Sequence, residues 1–451
     1  MRSPDHVAST MHTTQNIETY NGQASTRIFS AGSQSVGSIR GASKLESLCP
    51  NGWVRSAFYL SLVAIPFLQL YLPGTGERLG VKRVIQALLL AAILSRPRVC
   101  LRLLPVALCW FLAYCCLRII FGLWLAPEYS RLWWPDSLEL LEFLLPWAWF
   151  IFNLLHYPRF REAGLWAFVA GVSLCAALHV VGIGVTDVDN GAEGRSTIFG
   201  QNANEIGETY GVALVALVAL GLFRETKQPL RLLIFPLALL TAMALANTGS
   251  RTGALLSSLG ILTLLPQTRA FVPRTKRYLI LLLVTLVFAG VMYQVPTVLK
   301  RFSSVASSDV TQEEARARMV PVLWEIFLRS PIYGSGPEQY QYELTRRAMP
   351  YLADKQQLIN AHNMPLFLLA EMGIVGSVIF GVGLLKALAA AWRSRLGSCG
   401  LLPLAWLLPM SVAGLTISCP VFSPLMWLAI GYALACPDQV RQQIGLRPAL
   451  N

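Results

Sequence analysis

The chain has 451 residues, of which 54% are hydrophobic and only 14% are charged, with a mean hydropathy of +0.52 and a formal net charge of +13. Because soluble proteins carry about a quarter charged residues, this composition excludes an ordinary soluble domain and predicts a membrane protein with many helices. The nine cysteines have no CxxC or metal-ligand spacing, so we interpret them as small apolar residues and expect neither a disulfide framework nor a metal site.

Residues 1–50 differ from the rest of the chain in composition. They are rich in Ser, Thr, Gly and Gln and contain almost no apolar run. A segment of this kind does not bury enough apolar surface to fold, so we expect a disordered cytoplasmic tail. No apolar core with a small-residue cleavage site follows a basic start, so we do not interpret the segment as a signal peptide.

Twelve apolar segments follow this tail, and each is a candidate for a membrane-spanning helix. They cover residues 54–73, 81–95, 103–125, 138–156, 163–185, 205–223, 230–246, 252–266, 278–298, 363–391, 401–418 and 421–436. We therefore predict an all-α fold, a polytopic bundle of about 12 transmembrane helices, in which residues 51–298 hold helices 1–9 and residues 363–436 hold helices 10–12. Residues 299–362 are the only long loop, and residues 437–451 form a second cytoplasmic tail.

The positions of the Lys and Arg residues predict how this bundle is oriented. With a cytoplasmic amino terminus, the inner loops carry Arg96, Arg98, Arg102, Arg159, Arg161, Arg224, Lys227, Arg231, Arg269, Arg274, Lys276, Arg277, Arg393 and Arg395. The short outer loops carry fewer, except for the first, which holds Arg78, Lys82 and Arg83. Because this bias follows the positive-inside rule, both termini are predicted to be cytoplasmic, and the net charge does not require a nucleic-acid partner.

The loop NTGSRTG, from Asn247 to Gly253, is the first of three polar segments predicted at the outer face. It places Arg251 at the membrane boundary, among small residues that allow a ligand to approach closely. A guanidinium group stays charged and binds phosphate oxygens through two parallel hydrogen bonds, so Arg251 is a candidate phosphate-binding residue. The alternative is an interfacial arginine that only extends its charged end to water.

The long loop, the second polar segment, contains a predicted helix. TQEE at residues 311–314 has the pattern of a capping box, which opens a helix that runs to about Arg329. Its apolar residues repeat at helical spacing, so one face is predicted to pack on the membrane body: Met319, Val322, Leu323, Ile326 and Phe327. Arg316 falls on this face, whereas Arg318 lies nearer the polar side. With eight basic and seven acidic residues, the loop is predicted to be folded.

The third segment, AHN at residues 361–363, precedes a strongly apolar helix. Of the five histidines, only His362 is predicted at the outer face beside the long loop, where a neutral imidazole accepts a proton from an acceptor hydroxyl. The alternative for His362 is a polar residue that caps the helix. Glu371 lies deeper in the same helix and is predicted to be a protonated carboxyl bonded to a neighbouring helix.

A weaker fourth segment, GRSTIFGQNANEIGE at residues 194–208, lies in the preceding outer loop. It contains Arg195, Asn202, Asn204 and Glu205. Taken alone, it is typical of an ordinary polar loop that leads into a helix.

Together these stretches resemble the O-antigen ligase and polymerase superfamily, which comprises bacterial multi-pass glycan transferases. The likeness covers roughly residues 195–380 and consists of GQNAN, then NTGSRTGALLSSLGILTLL, then RARMVPVLWEIFLRSPIYGSGPEQY, then AHNMPLFLLAEMGIVG. The interval from Arg316 to Pro331, followed by Gly-x-Gly, is similar to the loop pattern of that family. Val320 departs from the pattern, since an aromatic residue is common at that position.

The resemblance implies a C-type glycosyltransferase architecture in the bacterial cytoplasmic (inner) membrane, with one large helical periplasmic loop that caps the site. It also implies transfer of a glycan from undecaprenyl diphosphate to a lipid A core, glycan or protein acceptor, without a metal or cofactor. By position, Arg251 and Arg316 would bind the diphosphate, and His362 would orient or deprotonate the acceptor hydroxyl. The further candidates for substrate binding are Arg195, Asn204, Asn363 and Arg318.

The sequence leaves several functions open. A ligase and a polymerase need the same donor site and differ in the acceptor, so the motifs do not distinguish them. A polysaccharide transporter or flippase is the candidate from another class, and it would place charged groups deep in the bilayer, often in broken helices. Arg251, Arg316 and His362 are instead predicted at the outer boundary, which favours an enzyme. A purely structural membrane protein is the remaining alternative.

Overall fold

The structure is a computed structural model, and it describes residues 50–70, 80–187, 196–222, 228–270, 310–348, 358–359, 361, 363–397, 399–416 and 420–436. Within these ranges the chain is mainly helical. Both predicted tails, apart from the last residue of the first, and the predicted ninth span at residues 278–298 lie outside them.

The described helices are α1 (Gly52–Val63), α2 (Val81–Ser95), α3 (Pro97–Cys100), α4 (Val106–Leu125), α5 (Ser130–Leu138), α6 (Leu145–Leu155), α7 (Pro158–Val181), α8 (Ala203–Leu222), α9 (Gln228–Thr248), α10 (Arg251–Leu264), α11 (Val310–Arg329), α12 (Gln339–Ala348), α13 (Met364–Arg393), α14 (Leu402–Thr416) and α15 (Pro424–Ala435). A π-helical segment, Glu139–Leu144, joins α5 to α6. Short 3₁₀ turns occur at Ile65–Phe67, Pro127–Tyr129, Leu265–Ala270, Ser394–Leu396 and Pro420–Phe422.

The other predicted spans coincide with described helices, mostly to within a few residues. Two spans differ more. In the first, α1 ends at Val63 rather than at residue 73. The fourth begins eight residues earlier, at Ser130, because α5 contains polar residues that lowered its hydropathy. Six helical stretches in the described ranges are long and apolar enough to cross a membrane, whereas the apolar helices α14 and α15 are shorter. A mainly helical membrane bundle is therefore confirmed, and the number 12 stays a prediction.

Buried tryptophans fix the short helices α14 and α15 in the core of the bundle. Trp406 of α14 donates a hydrogen bond to the carbonyl of Val212 in α8, at 3.1 Å, and its ring is 1% exposed. Trp427 of α15 donates to the carbonyl of Val421, at 2.8 Å, and is equally buried. Because a buried indole N–H without an acceptor costs free energy, the first bond restricts how α14 packs on α8, and the second fixes the turn before α15.

Glycines allow α8 and α10 to pack backbone against backbone. A Cβ atom added at Gly253 of α10 would overlap the carbonyl of Gly207 in α8, and one added at Gly211 would overlap the carbonyl of Gly253. Small residues at such a crossing let helices approach closely, which is how membrane helices gain dispersion and weak polar contacts. The segment GQNANEIGE and the loop NTGSRTG are therefore held side by side.

We expect Gly253→Ala to destabilise the protein by on the order of 1–3 kcal/mol, because the new methyl group overpacks a backbone contact that has no flexible side chain to move aside. Gly381→Ala in α13 is the matched control, since a Cβ atom there meets nothing within 4 Å. The control is expected to be neutral or slightly stabilising, given the higher helix propensity of alanine. Thermal unfolding of the two purified variants measures the difference, and equal midpoints would refute the close packing.

The helix predicted in the long loop is present as α11, and its apolar face packs on α13. Met319, Leu323, Ile326 and Phe327 are buried, and Val322 is half-buried. The predicted helical stripe is therefore confirmed. A second helix, α12, follows, and Thr345 in it accepts a hydrogen bond from the backbone N–H of Ile359 at 3.0 Å.

Helix α13 is broken at Gly373, where φ is +62°. The segment PIYGSGPE, at residues 331–338, fills the break with its own backbone. Ser335 and Gly336 donate to the carbonyls of Ala370 and Glu371, at 2.8 and 3.0 Å, and two amides beyond the break return hydrogen bonds to residues 331 and 332. Because non-glycine residues rarely adopt positive φ, glycine is required at the break.

A hairpin at the end of α7 contacts the NTGSRTG loop. Strands β1 (Val185–Asp187) and β2 (Ser196–Ile198) pair antiparallel. His179 contacts the Ser196 hydroxyl at 2.9 Å and the Tyr210 hydroxyl at 3.2 Å, and Ser196 donates to the carbonyl of Asn247 at 3.2 Å. His179 is therefore a buried structural residue that links α7, the hairpin and α8.

Cys399 and Cys436 are in disulfide contact, with their Cα atoms 6.3 Å apart. The prediction that the cysteines act only as small apolar residues was wrong for this pair, because spacing along the chain does not show that α15 ends beside the loop after α13. The predicted topology places the pair on the cytoplasmic side, where disulfides are unusual. The redox state of this pair in cells is therefore a test of orientation that is independent of the Lys and Arg bias.

Candidate functional site

A cavity of about 380 Å³ lies where the amino-terminal ends of α8, α10, α13 and α15 meet. Its polar lining comprises Gln69, Asp136, Gln201, Asn202, Asn204, Glu205, Glu208, Thr209, Thr252, Glu338, Tyr340, Gln341 and Ser423. Its apolar lining comprises Ile65, Leu68, Phe367, Pro420, Phe422, Pro424 and Leu425. A volume in this range is typical of a small-molecule site.

All four segments singled out in the sequence contribute to this one cavity. GQNANEIGE supplies Asn204 and its neighbours, NTGSRTG supplies Thr252, PIYGSGPEQY supplies Glu338 and Tyr340, and AHNMPLF supplies Phe367. The first and last of these residues lie more than a hundred positions apart in the chain, so the fold brings them together.

Arg251 is the first residue of α10, and a local hydrogen-bond network fixes the turn before it. Gly249 has φ +58°, and Ser250 caps the helix by accepting a hydrogen bond from the backbone N–H of Gly253 at 3.2 Å. The Ser250 hydroxyl also lies 3.4 Å from the carbonyl oxygen of Asn204, to which it donates. Arg251 is half-buried, and Thr252, the next residue, lines the cavity.

Asn204 and Asn363 are described, and their surroundings differ. Asn204 lines the cavity, and its role in substrate binding stays a prediction. Asn363 caps α13, because its Oδ1 accepts from the N–H of Leu366 at 3.0 Å and its Nδ2 donates to the carbonyl of Leu415 at 2.6 Å. Its amide therefore has a structural role at the helix start, and substrate binding by Asn363 stays a prediction.

The other predicted site residues fall at the limits of the described chain. Arg195 and His362 lie outside the described residues. Arg316 and Arg318 lie within α11, but their side chains are outside what the structure describes. The convergence of Arg251, Arg316 and His362 therefore stays a prediction, although the segments that carry them meet around the cavity.

A buried ionic cluster forms one wall of the site. Arg118 of α4 is 0% exposed, and its Nη2 lies 2.9 Å from Glu338 Oε1 and 2.8 Å from Glu371 Oε1. The backbone N–H of Glu338 donates to the same Glu371 oxygen, at 3.2 Å. The guanidinium also lies over the Phe422 ring, 5.0 Å from its centroid. Arg118 therefore holds two cavity-lining residues, Glu338 and Phe422, in place.

Glu371 was predicted to bond a neighbouring helix, and this is confirmed with Arg118 as the partner. The protonation of Glu371 stays a prediction. Glu338 completes the cluster from the loop, and its φ of +62° places its carboxyl between Arg118 and Asp136. Burial raises the pKa of the Glu338 carboxyl above its usual range, although the positive charge of Arg118 acts in the opposite direction. A hydrogen bond between the Glu338 and Asp136 carboxyls requires a shared proton.

The sequence did not identify the acidic lining of the cavity. Asp136, Glu205, Glu208 and Glu338 come from three separate parts of the chain, and each resembles an ordinary charge at a helix end or in a loop. Glu205 and Glu208 lie three residues apart, which places both on one face of α8. That spacing is the signal that would have singled them out. Among the residues that the structure describes, no cluster of His, Cys, Asp and Glu is arranged to hold a metal ion.

The chain matches a known family over part of this site. Residues 236–381 match the family model described as O-antigen ligase. The matched range contains α10, α11, α12 and the first half of α13, whereas GQNAN lies before it. The resemblance seen in the motifs is therefore confirmed for three of the four segments. A comparison with curated proteins gave no match.

Proposed function

We propose that this multi-pass membrane protein is a glycan transferase of the O-antigen ligase type. It would move an oligo- or polysaccharide from an undecaprenyl-diphosphate carrier to an acceptor hydroxyl at the periplasmic face of the bacterial inner membrane. The observation that carries the proposal is the single cavity lined by all four family-like segments, together with the match to the O-antigen ligase family. The acceptor is a lipid A core, a growing glycan or a protein hydroxyl.

The proposed reaction is a displacement at the anomeric carbon of the donor sugar. The acceptor oxygen forms a bond to that carbon while the bond from the carbon to the diphosphate oxygen breaks. The diphosphate leaves with the electron pair, and His362 accepts the proton of the acceptor hydroxyl. Arg251 and Arg316 stabilise the negative charge that develops on the leaving group, so the proposal needs no metal ion.

The position of Arg251 supports its proposed role. It occupies the first turn of α10, where the backbone amides and the positive end of the helix dipole also favour an anion. The glycine contacts between α8 and α10 fix this helix start next to Asn204, which lines the cavity. A diphosphate at Arg251 would therefore lie beside the cavity. Arg195, Arg318 and Asn363 are proposed to bind the remainder of the donor.

A polysaccharide transporter is the second candidate, and one observation favours it. Helix α13 is broken at Gly373, and Arg118, Glu338 and Glu371 form a buried charged cluster beside the break. Such features occur at transport sites. Here, however, the loop backbone fills the break, and Glu338 and Glu371 each form an ion pair with Arg118. The cluster therefore has a structural explanation that needs no transported substrate.

Deletion of the gene separates these functions. For a ligase, we expect surface glycan to be lost while full-length polymer accumulates on its lipid carrier at the periplasmic face. Surface glycan shortened to single repeats would identify a polymerase instead. Lipid-linked intermediates retained at the cytoplasmic face would identify a transporter. Gel analysis of glycan and carrier-linked fractions makes the measurement, and unchanged fractions in the deletion strain would overturn the proposal.

A further inference from the structure

The described cavity lining has an unusual charge balance for an enzyme with a diphosphate-linked donor. Asp136, Glu205, Glu208 and Glu338 line it, and no Lys, Arg or His is among the described lining residues. The positive ends of α8, α10, α13 and α15 offset part of this charge, at roughly half an elementary charge each. Even so, Glu205 and Glu208 lie in the first two turns of α8, where an anionic ligand would otherwise bind.

Glu208 is a buried carboxyl of this lining for which the described residues provide no partner. It is 9% exposed and lines the cavity, yet it makes no hydrogen bond or ion pair with any residue that the structure describes. Its nearest charged neighbour in sequence on the same face is Glu205, which has the same sign. A buried carboxyl without a partner is costly, so it indicates a group that a ligand satisfies.

Aromatic side chains form another part of the cavity lining. The rings of Tyr340 and Phe367 pack edge to face with centroids 5.4 Å apart, and Phe367 and Phe422 do so at 6.2 Å. Amide side chains of Gln201, Asn202 and Gln341 complete the lining. Aromatic faces, amides and carboxyls together match a sugar ring, which presents apolar C–H groups on its faces and hydroxyls on its edge.

We infer that this cavity binds an uncharged sugar unit of the glycan, and that Glu205 and Glu208 accept hydrogen bonds from the hydroxyls of that sugar. The donor diphosphate binds outside the cavity, on the Arg251 side. The inference rests on the proposed glycan transfer and specifies the substrate at that site. Sugars that carry a carboxylate, and the diphosphate itself, are excluded by Glu205 and Glu208, whereas Glu338 is already paired with Arg118. Glu208 is a binding residue in this scheme, and it forms and breaks no bond.

The charge selectivity of the cavity is measurable with a thiol placed in its wall. Gln341→Cys introduces one in the full-length protein, and Leu328→Cys on α11, 57% exposed, is the control outside the cavity. For each protein we measure the rate of modification by a cationic methanethiosulfonate divided by the rate with an anionic one of similar size. We expect this ratio to be at least about tenfold higher for Gln341→Cys than for Leu328→Cys. Glu208→Gln in the Gln341→Cys background should reduce that ratio. Peptide mass spectrometry assigns each modification to its thiol.

Protection of the same thiol identifies the ligand class. High concentrations of glucose, galactose, mannose and N-acetylglucosamine are tested beside glucuronate and inorganic diphosphate. We expect at least one neutral sugar to slow modification of the Gln341→Cys thiol by an uncharged methanethiosulfonate. Glucuronate and diphosphate should leave that rate unchanged. Protection by diphosphate, or by none of the neutral sugars, would overturn the inference, as would equal rates for the two charged reagents.

A complementation arm separates this inference from the proposed function. In a deletion strain, Glu208→Ala is expected to lower glycan transfer at least about tenfold, while Glu325→Gln, which changes a 62% exposed carboxylate on α11, is the matched control and retains it. Full transfer by Glu208→Ala, in a strain where deletion abolishes transfer, would refute the sugar site and leave the proposed function intact. If deletion itself has no effect on surface glycan, the proposed function fails, and the thiol result alone reports what the cavity binds.

Discussion

Replacing Arg118 with methionine is expected to destabilise the protein by roughly 3–5 kcal/mol, the usual range when one partner of a buried ion pair is removed. The methionine keeps much of the side-chain volume but leaves Glu338 and Glu371 buried without a positive charge. It also removes the cation that lies over the Phe422 ring. The loss is large because Arg118 is fully buried, and water does not replace the missing contacts. The midpoint of thermal unfolding in detergent measures the effect.

Two further variants separate charge from packing at this position. Adding Glu371→Gln to Arg118→Met removes one of the two buried carboxyl groups that lost their partner, so part of the lost stability should return. Arg329→Met is the matched control, because Arg329 is 61% exposed and its ion pair with Glu343, at 3.6 Å, is worth at most about 1 kcal/mol. If Arg118→Met unfolded at the same temperature as this control, the cluster would contribute nothing to the fold.

The positions of the helices followed from the sequence because each depends on a local pattern. Apolar runs gave the bounds of Val81–Ser95 to the residue, and helical spacing gave the face of α11 that packs on α13. The break in α13 did not follow. Gly373 is one of several glycines in that helix, and nothing local distinguishes a glycine with φ +62° from one in a regular turn. The break depends on residues 331–338, which are supplied by a separate loop.

The site was predicted in part, for a similar reason. The four segments were recognised one at a time, and the cavity that joins them depends on contacts between distant residues. Arg118 and Glu338 are 220 positions apart, so a pairing between them has no signature in spacing. Glu371 was recognised as a deep carboxyl, yet the sequence did not identify its partner Arg118, and Glu338 resembled a solvated loop residue. A buried charge therefore predicts that a partner exists, and only the fold identifies it.

The remaining question about the site is whether Arg251, Arg316 and His362 act together, and alanine substitution of each answers it. We expect Arg251→Ala and Arg316→Ala to lower glycan transfer by on the order of 10²–10³, because each removes a fixed charge that stabilises the leaving diphosphate. His362→Ala is expected to lower transfer by roughly 10²–10⁴, the range for loss of a positioned general base. Complementation of a deletion strain, followed by gel analysis of surface glycan, makes the measurement.

Controls for these variants distinguish lost chemistry from lost folding. Arg329→Ala changes an exposed arginine of the same loop and should retain transfer, and each variant should reach the membrane at the level of the unchanged protein. Arg251→Lys keeps the charge but lacks the planar fork that binds two phosphate oxygens, so we expect partial transfer between that of the unchanged protein and Arg251→Ala. Wild-type glycan from all three alanine variants would refute the residue assignments, because a leaving diphosphate that no longer needs Arg251 or Arg316 must be stabilised by other groups.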